Sequence, residues 1–121
     1  MNSRRTVVER GATARLSDGE VIARSVAAPE LFGVVFERRQ GAVAGFVGRR
    51  VAGRDVDDVV GVVFEEAFRC RERYVPSQPT AEPWLVGIAA NQVRRCWRDA
   101  GRLAKATERH DLRLGGGWHR G

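Results

Sequence analysis

Apolar residues recur with the period of an α-helix in three long stretches of this chain. In residues 55–71 the apolar positions run from Val56 to Ala67 at i, i+3, i+4 and i+7 spacing, and acidic residues occupy the other side. The many valines would favour a β-strand by propensity, but a period of two would place Asp57 and Val59 on one face. Two further stretches show the helical period, residues 29–53 and 81–105. The pattern therefore predicts an all-α fold, a compact bundle with three main helices.

A short helix is predicted before these three. Ser17 is followed three residues later by a glutamate and then by an apolar run, which is capping-box spacing and predicts a helix to about Ser25. Residues 1–16 carry arginines without a sustained apolar period and are predicted to be a flexible basic arm. Residues 107–121, which end in LGGGWHRG, are predicted to be a disordered tail. The predicted folded domain is therefore residues 17–106.

The helix predicted over residues 81–105 has two unlike faces. Its nearly apolar face is formed by Leu85, Ile88, Ala89, Gln92 and Cys96, with Trp84 and Trp97 at its sides. Its other face, called the basic ridge below, is formed by Asn91, Arg94, Arg95, Arg98, Arg102 and Lys105. A face that only contacts water normally mixes Glu and Asp with its cations, whereas Asp99 alone lies among these. The basic ridge is therefore predicted to contact phosphate groups.

The net charge also favours a polyanionic partner. The chain has 121 residues and a formal charge of +6, so nucleic acid or an acidic membrane surface would attract it. Its length suits one small domain. No apolar run approaches the roughly 20 residues of a membrane span, and the first residues lack the apolar core of a signal peptide. The chain is therefore predicted to be cytoplasmic, with Cys70 and Cys96 as free thiols.

The outward face of the acidic helix in residues 55–71 carries an apolar residue among charges. This face, called the docking surface below, is formed by Asp58, Gly61, Val62, Glu65 and Arg69. An isolated surface valine is common, but an apolar centre ringed by charge is also typical of a protein–protein interface. The sequence leaves both interpretations of Val62 open.

A polar loop joins the acidic helix to the basic helix. Residues 72–80 contain two prolines, which interrupt helices. The polar residues of the loop are Ser77, Gln78 and Thr80. Tyr74 and Trp84 flank this segment. The two rings either fasten the loop to the core, or one of them stacks on an unpaired base.

The sequence shows no arrangement that is typical of an enzyme. No glycine-rich segment has the Gly-Lys-Ser/Thr ending of a phosphate-binding loop. His110 and His119 and the two cysteines lack zinc-ligand spacing. No nucleophile and base fall together on rigid predicted elements. The chain is therefore predicted to have no catalytic residue, no metal ion and no cofactor.

Three segments occur in the order SDGEVIARSVAAPELFGVVFERR, GRDVDDVVGVVFEEAFRCRERY and AEPWLVGIAANQVRRCWR. In order and spacing they resemble region two of bacterial sigma factors of the extracytoplasmic-function group, especially the form common in high-GC actinobacteria. The resemblance covers about residues 17–106, and it rests on the Asp-Asp-Val-Val helix, the tyrosine-containing loop and Pro-Trp-Leu-x-x-Ile-Ala-x-Asn together. It implies the all-α region-two fold and a role in transcription initiation.

The resemblance also implies roles for the three surfaces. In this family the acidic helix docks on the clamp coiled coil of core RNA polymerase, which would assign that contact to the docking surface. The loop and the following helix bind the promoter minus-ten element, capture a flipped base and help to melt the duplex, so that the promoter DNA is partly single-stranded. The DNA-binding residues would then be Tyr74, Ser77, Gln78, Thr80, Trp84, Asn91, Arg94, Arg95, Arg98 and Arg102. An anti-sigma protein is a further candidate partner.

Two other functions remain open at this point. Members of the family carry a second, helix-turn-helix domain that reads the minus-thirty-five element, and this sequence is expected to lack it. The leading interpretation is a sigma-factor-like initiation protein. The first alternative is a truncated docking protein that binds polymerase as a decoy or regulator without starting transcription. The second is a general basic nucleic-acid binder that makes no contact with polymerase.

Overall fold

Four α-helices lie wholly within the part of the chain that the structure describes. The computed structural model describes residues 13–75 and 78–115, with side chains up to residue 108. The helices are α1 (Asp18–Ser25), α2 (Phe32–Gly48), α3 (Val56–Arg69) and α4 (Glu82–Gly115). Short 3-10 turns occur at Pro29–Leu31, Gly53–Asp55 and Arg71–Arg73. The described residues contain no β-strand, so the all-α prediction is confirmed.

The predicted capping box starts α1. The backbone N–H of Glu20 donates to Ser17 Oγ at 3.1 Å, and the backbone N–H of Ser17 donates to Glu20 Oε1 at 2.8 Å. Two donors that the first turn leaves unpaired are thereby satisfied. Val21 and Ile22 lie on the buried face of α1, and the helix packs against α2. The short helix is therefore present where the sequence predicts it.

The hydrophobic core lies between α2, α3 and α4, which all pack on one another. Helix α3 buries Val60, Val63, Phe64 and Ala67. The core residues that face them from α2 and α4 include Val35, Val43, Val47, Leu85, Ala89 and Val93. Burial of one such valine or leucine contributes about 1.5–3 kcal/mol. This packing stabilises α2 in spite of its glycines, which lower helix propensity.

Helix α2 ends earlier than the sequence pattern predicts. The pattern extends it to residue 53, but the helix ends at Gly48. The backbone turns after Val47, whose carbonyl oxygen accepts the N–H groups of Arg50 and Val51 at 2.9 and 3.1 Å. Val51 then packs against the core from outside the helix. Because Val51 is apolar and falls on the helical period, the sequence pattern includes it in the helix and predicts a longer α2.

Helix α4 is longer than predicted. The sequence assigns residues 107–121 to a disordered tail, but the helix continues to Gly115. Residues 107–114 contain no proline or glycine, so this stretch has no residue that would end the helix before Gly115. Residues 116–121 lie outside the described residues.

The segment before α1 packs against the domain. Thr13 to Leu16 are assigned by sequence to the basic arm, but Thr13 is only 3% exposed. The guanidinium group of Arg38 in α2 donates to the carbonyl oxygens of Thr13 and Leu16 at 2.8 and 2.9 Å. These bonds hold the four residues against α2. Residues 1–12 of the predicted arm lie outside the described residues.

The buried line of α4 differs in part from the predicted apolar face. Leu85, Ala89 and Val93 are at most 2% exposed, and Val93 holds a core position that the sequence pattern did not single out. Trp97, predicted to widen the apolar face, is 54% exposed, and its indole N–H donates to the Arg50 carbonyl oxygen at 2.9 Å. The physical reason is length: α2 ends at Gly48, so the later turns of α4 extend past the core.

Candidate nucleic-acid interface and docking surface

The described residues of the loop between α3 and α4 line a pocket beside the first turn of α4. The pocket, called the loop pocket below, has a volume of about 340 Å³. It is lined by Arg73, Tyr74, Val75, Gln78, Thr80, Pro83 and Trp84. The structure therefore brings together four residues predicted to bind DNA: Tyr74, Gln78, Thr80 and Trp84. Ser77, also predicted to bind DNA, lies outside the described residues.

Tyr74 fastens the loop to the core. Its side chain is buried, and its hydroxyl group lies 3.1 Å from the carbonyl oxygens of both Gln78 and Thr80, which share its single proton. Burial, and then the negative charge of Asp18, raise the pKa of Tyr74 above its ordinary value of 10.0, so the hydroxyl keeps its proton. Of the two interpretations that the sequence left open, this geometry supports fastening for Tyr74.

Trp84 is the ring that remains partly accessible in the loop pocket. Its centroid lies 4.8 Å from that of Tyr74, with an angle of 54° between the ring planes, and its side chain is half-buried. Tyr74 thus packs against the indole of Trp84, and both rings line the loop pocket. An indole held in this way loses little conformational entropy when it stacks on a base.

The basic ridge residues of α4 meet at a polar hollow next to α3. Asn91, Arg94, Arg95 and Arg98 line this hollow, which has a volume of about 300 Å³. Arg94 donates to the side-chain oxygen of Asn91. Within residues 13–75 and 78–108, Arg95 and Arg98 form no ion pair with a carboxylate. Glu66 of α3 lines the same hollow, but neither guanidinium group is bound to it.

The loop pocket and the basic ridge lie along one line of α4. Trp84, Asn91, Arg95, Arg98 and Arg102 follow one another at intervals of 7, 4, 3 and 4 residues, which keeps them on one side of a helix. At about 1.5 Å per residue the line is roughly 27 Å long. Arg102, at its far end, pairs with Asp99. A ring at one end and cations along the rest are the features that bind single-stranded nucleic acid.

The docking surface is exposed on α3, as its period predicts. Asp58, Gly61, Val62, Glu65 and Arg69 all lie on the solvent side of the helix, and Val62 is 42% exposed. Glu65 and Arg69 pair with each other at 2.9 Å. Such an exposed pair contributes only about 0–1 kcal/mol, so either side chain can exchange its partner for one on another protein.

A groove beside the docking surface separates α3 from α4. It has a volume of about 400 Å³, and its lining includes Asp58 and Val62 from α3 and Arg95 and Asp99 from α4. Arg95 therefore borders both this groove and the polar hollow of the basic ridge. The two surfaces are neighbours, and a change at Arg95 affects both.

Asp18 occupies a central position that the sequence interpretation missed. Its side chain is fully buried, and four donors surround it: Arg38 at 3.0 Å, Arg39 at 2.7 Å, the Ala81 N–H at 2.7 Å and the Thr80 hydroxyl at 3.3 Å. Burial alone would raise the pKa of Asp18, but the hydrogen bonds from Arg39, Ala81 and Arg38 outweigh it and hold the pKa below its ordinary value of 3.8.

A signal for Asp18 was present in the sequence. Asp18, Val21, Ile22 and Ser25 share the buried face of α1 at i, i+3, i+4 and i+7 spacing. A carboxylate on an otherwise buried stripe needs a cationic or N–H partner. Arg38 and Arg39, which are adjacent in α2, provide these partners. They lie 20 and 21 residues from Asp18 in the sequence, so no local pattern predicts the pairing. Arg39 also lies 3.9 Å from Glu82 at the start of α4.

The family comparison agrees with the all-α arrangement of the helices. A model of the family described as Sigma-70 region 2 matches residues 35–103. The chain belongs to the Sigma-70 region 2 family. The match includes α2 from Val35, all of α3, the loop and α4 as far as Leu103, so every predicted site residue lies inside it. Comparisons with curated proteins and with solved structures gave no match.

Membership in the Sigma-70 region 2 family fixes the general class of the chain. The family is a non-enzymatic, regulatory domain of sigma factors, which act in transcription initiation and bind RNA polymerase. In the described part of the chain, no helix is long and apolar enough to cross a membrane. No three His, Cys, Asp or Glu side chains in that part are grouped to hold a metal ion. Cys70 and Cys96 are both free.

Proposed function

We propose that this chain is a sigma-factor-like initiation protein of the extracytoplasmic-function group that binds core RNA polymerase and recognises and melts the promoter minus-ten element. The observation that carries the proposal is the continuous line on α4 from the loop pocket, through Trp84, to the exposed arginines of the basic ridge. Residues 13–108 hold both this line and the docking surface in one helical domain.

The docking surface is proposed to bind the clamp coiled coil of polymerase. Val62 offers an exposed apolar contact, and Asp58, Glu65 and Arg69 provide charges around it. Gly61 has no side chain, and the space beside its Cα is empty, since a methyl group added there would meet no atom within 4 Å. A partner helix can therefore approach α3 closely at this position. An anti-sigma protein that covers the same surface remains a prediction.

The loop pocket is proposed to hold one base flipped out of the minus-ten element. Trp84 supplies the stacking surface, while Tyr74 and Thr80 hold the shape of the pocket. Extruding a base costs a few kcal/mol, and stacking on an aromatic ring returns about 1–3 kcal/mol per base. The difference is offset by cationic contacts to the exposed strand along the basic ridge, so opening needs no nucleotide hydrolysis.

The two surfaces are tested by separating their functions. Arg94→Glu with Arg98→Glu reverses two charges of the basic ridge that do not border the groove beside the docking surface. This variant should lose binding to a minus-ten single strand and keep its affinity for core RNA polymerase. Val62→Asp should show the opposite pattern, because it places a charge at the apolar centre of the docking surface. Arg95 is unsuitable here, because it borders both surfaces.

The outcomes distinguish the proposal from the two alternatives. Loss of both activities in either variant contradicts independent surfaces. Polymerase binding without any preference for the single strand supports a docking protein that does not start transcription. Binding to DNA of any sequence, with no affinity for polymerase, supports a general nucleic-acid binder.

A further inference from the structure

We propose that Asp18 is a positioning residue that sets the shape of the loop pocket. The inference rests on the proposed capture of a base there, and it extends that function to α1. Asp18 lies outside the segment that the family model matches, residues 35–103, and it touches the loop from the opposite end of the chain. Its place in the fold gives it two separate tasks, one for each carboxylate oxygen.

The first oxygen, Oδ1, faces the N-terminal segment. It accepts a hydrogen bond from Arg38 at 3.0 Å. The same guanidinium group donates to the carbonyl oxygens of Thr13 and Leu16 at 2.8 and 2.9 Å. This half of the network connects α1, α2 and the residues before α1, and none of its members lines the loop pocket.

The second oxygen, Oδ2, faces the loop. It accepts from the Ala81 N–H at 2.7 Å, from Arg39 Nε at 2.7 Å and from the Thr80 hydroxyl at 3.3 Å. The backbone N–H of Asp18 adds a fourth contact, since it donates to the Pro79 carbonyl oxygen at 3.2 Å. Three consecutive residues of the loop are thus held by one buried residue of α1.

These contacts reach the loop pocket through Thr80, which lines the pocket and is held by both Tyr74 and Asp18. The Tyr74 hydroxyl binds the carbonyl oxygens of Gln78 and Thr80 from inside, and Asp18 binds the N–H of Ala81 and the Thr80 side chain. Thr80 is therefore held through its carbonyl and its hydroxyl together. Its hydroxyl in turn accepts the Glu82 N–H at 3.2 Å, so the loop and the first turn of α4, which carries Trp84, are fixed relative to each other.

A purely stabilising role is the alternative, and it predicts a different result. A buried carboxylate with charged donors stabilises the whole domain, and its loss would then lower every activity in parallel. Positioning predicts a selective loss: the pocket should lose its base preference while contacts along the basic ridge persist. The Arg38 side of the network offers a matched control, because Arg38→Gln also breaks a bond to Asp18 but leaves Oδ2 and the loop intact.

The test compares two single-stranded probes in the presence of core RNA polymerase. One is an AT-rich 12-mer, and the other is the same 12-mer with one abasic site, moved through each position in turn. Wild-type chain should bind the intact probe at least about fivefold more tightly than the probe that is abasic at the captured position. Asp18→Ala removes both carboxylate oxygens, so it should reduce this ratio to near one and leave the affinity for the abasic probe unchanged. Arg38→Gln should keep the ratio.

Several outcomes would overturn the inference. It fails if Asp18→Ala retains the wild-type ratio, if Arg38→Gln loses the ratio equally, or if Asp18→Ala weakens both probes in parallel. If circular dichroism shows that Asp18→Ala does not fold, Thr80→Val serves instead, since it removes only the hydroxyl contacts. An unchanged ratio in that variant also overturns the inference. A wild-type ratio of one at every position instead contradicts base capture itself.

Discussion

Replacing Arg94 and Arg98 by glutamine removes two cations from the middle of the basic ridge and preserves side chains of similar reach. Both residues are exposed and line the polar hollow on α4. Neither contributes to the core, so the free energy of unfolding should change by no more than about 0.5 kcal/mol. The double variant therefore isolates the electrostatic contribution of the basic ridge to DNA binding.

The size of the effect follows from counterion release. Five cations lie on the basic ridge, and each that contacts a phosphate of a single strand adds about 0.7 to the slope of log K against log salt concentration. Full engagement predicts a slope of about −3.5, or an affinity loss of about 100-fold between 50 and 200 mM salt. The double variant should reduce the slope to about −2.1 and the loss to about 20-fold.

The assay is fluorescence anisotropy of a labelled single-stranded DNA 20-mer, titrated with the chain at several salt concentrations. The matched control is Arg24→Gln with Arg49→Gln, which removes the same charge from exposed positions outside α4. Its slope should equal that of the wild-type chain. An unchanged slope in the ridge variant, or an equal reduction in the control, would refute the assignment of DNA contacts to the basic ridge.

Four further predictions address the other surfaces and the core. Trp84→Ala should weaken binding of the minus-ten single strand by about 1–3 kcal/mol in the same anisotropy assay and leave the salt slope unchanged, because stacking carries no counterion term. Gly61→Ala should raise the free energy of unfolding by about 0.5–1 kcal/mol in urea titrations, since the helix gains propensity and the added methyl group meets no atom. Leu85→Ala should lower that free energy by about 2–5 kcal/mol, because the side chain is fully buried. Asp18→Asn should lower it by about 2–3 kcal/mol at neutral pH, a value below that of a fully enclosed ion pair because Arg38 and Arg39 are partly exposed. Folding holds the pKa of Asp18 below 3.8. The contribution of its carboxylate to the free energy of unfolding is therefore present above pH 3.8 and is lost as the pH falls through the lower pKa of the folded state. In urea titrations, the difference in this free energy between the wild-type chain and the variant should shrink below about pH 3.8.

Local patterns were enough to predict the helices. The valines of α3 follow the helical period closely enough to overrule their strand propensity, and Ser17 marks the start of α1 through a capping box that the structure contains. The position of Val62 on the outward side of α3 also follows from its period alone. These features depend on residues within one or two helical turns, so a single sequence is sufficient to find them.

Long-range contacts decide the features that the sequence did not reveal. Asp18 obtains its donors 20, 21, 62 and 63 residues away, and no local pattern connects them. The buried Tyr74 hydroxyl is satisfied by the carbonyl oxygens of Gln78 and Thr80, and the position of these oxygens depends on the path of the loop. Trp97 lies beside the segment that follows the end of α2 at Gly48, where its indole N–H donates to the Arg50 carbonyl oxygen and its ring stays exposed. In each case the tertiary fold, rather than residue type, determines what the side chain contacts.

The most direct test of the proposed function is permanganate reactivity of thymines in a duplex promoter with an extended minus-ten element. Permanganate oxidises thymines that are unpaired, so reactivity reports strand opening. The proposal predicts reactive thymines in the minus-ten element when core RNA polymerase and the chain are both present, and protection when Val62→Asp or Trp84→Ala replaces the wild-type chain. Protected thymines in a complex that contains wild-type chain and polymerase would contradict the claim that this domain melts promoter DNA.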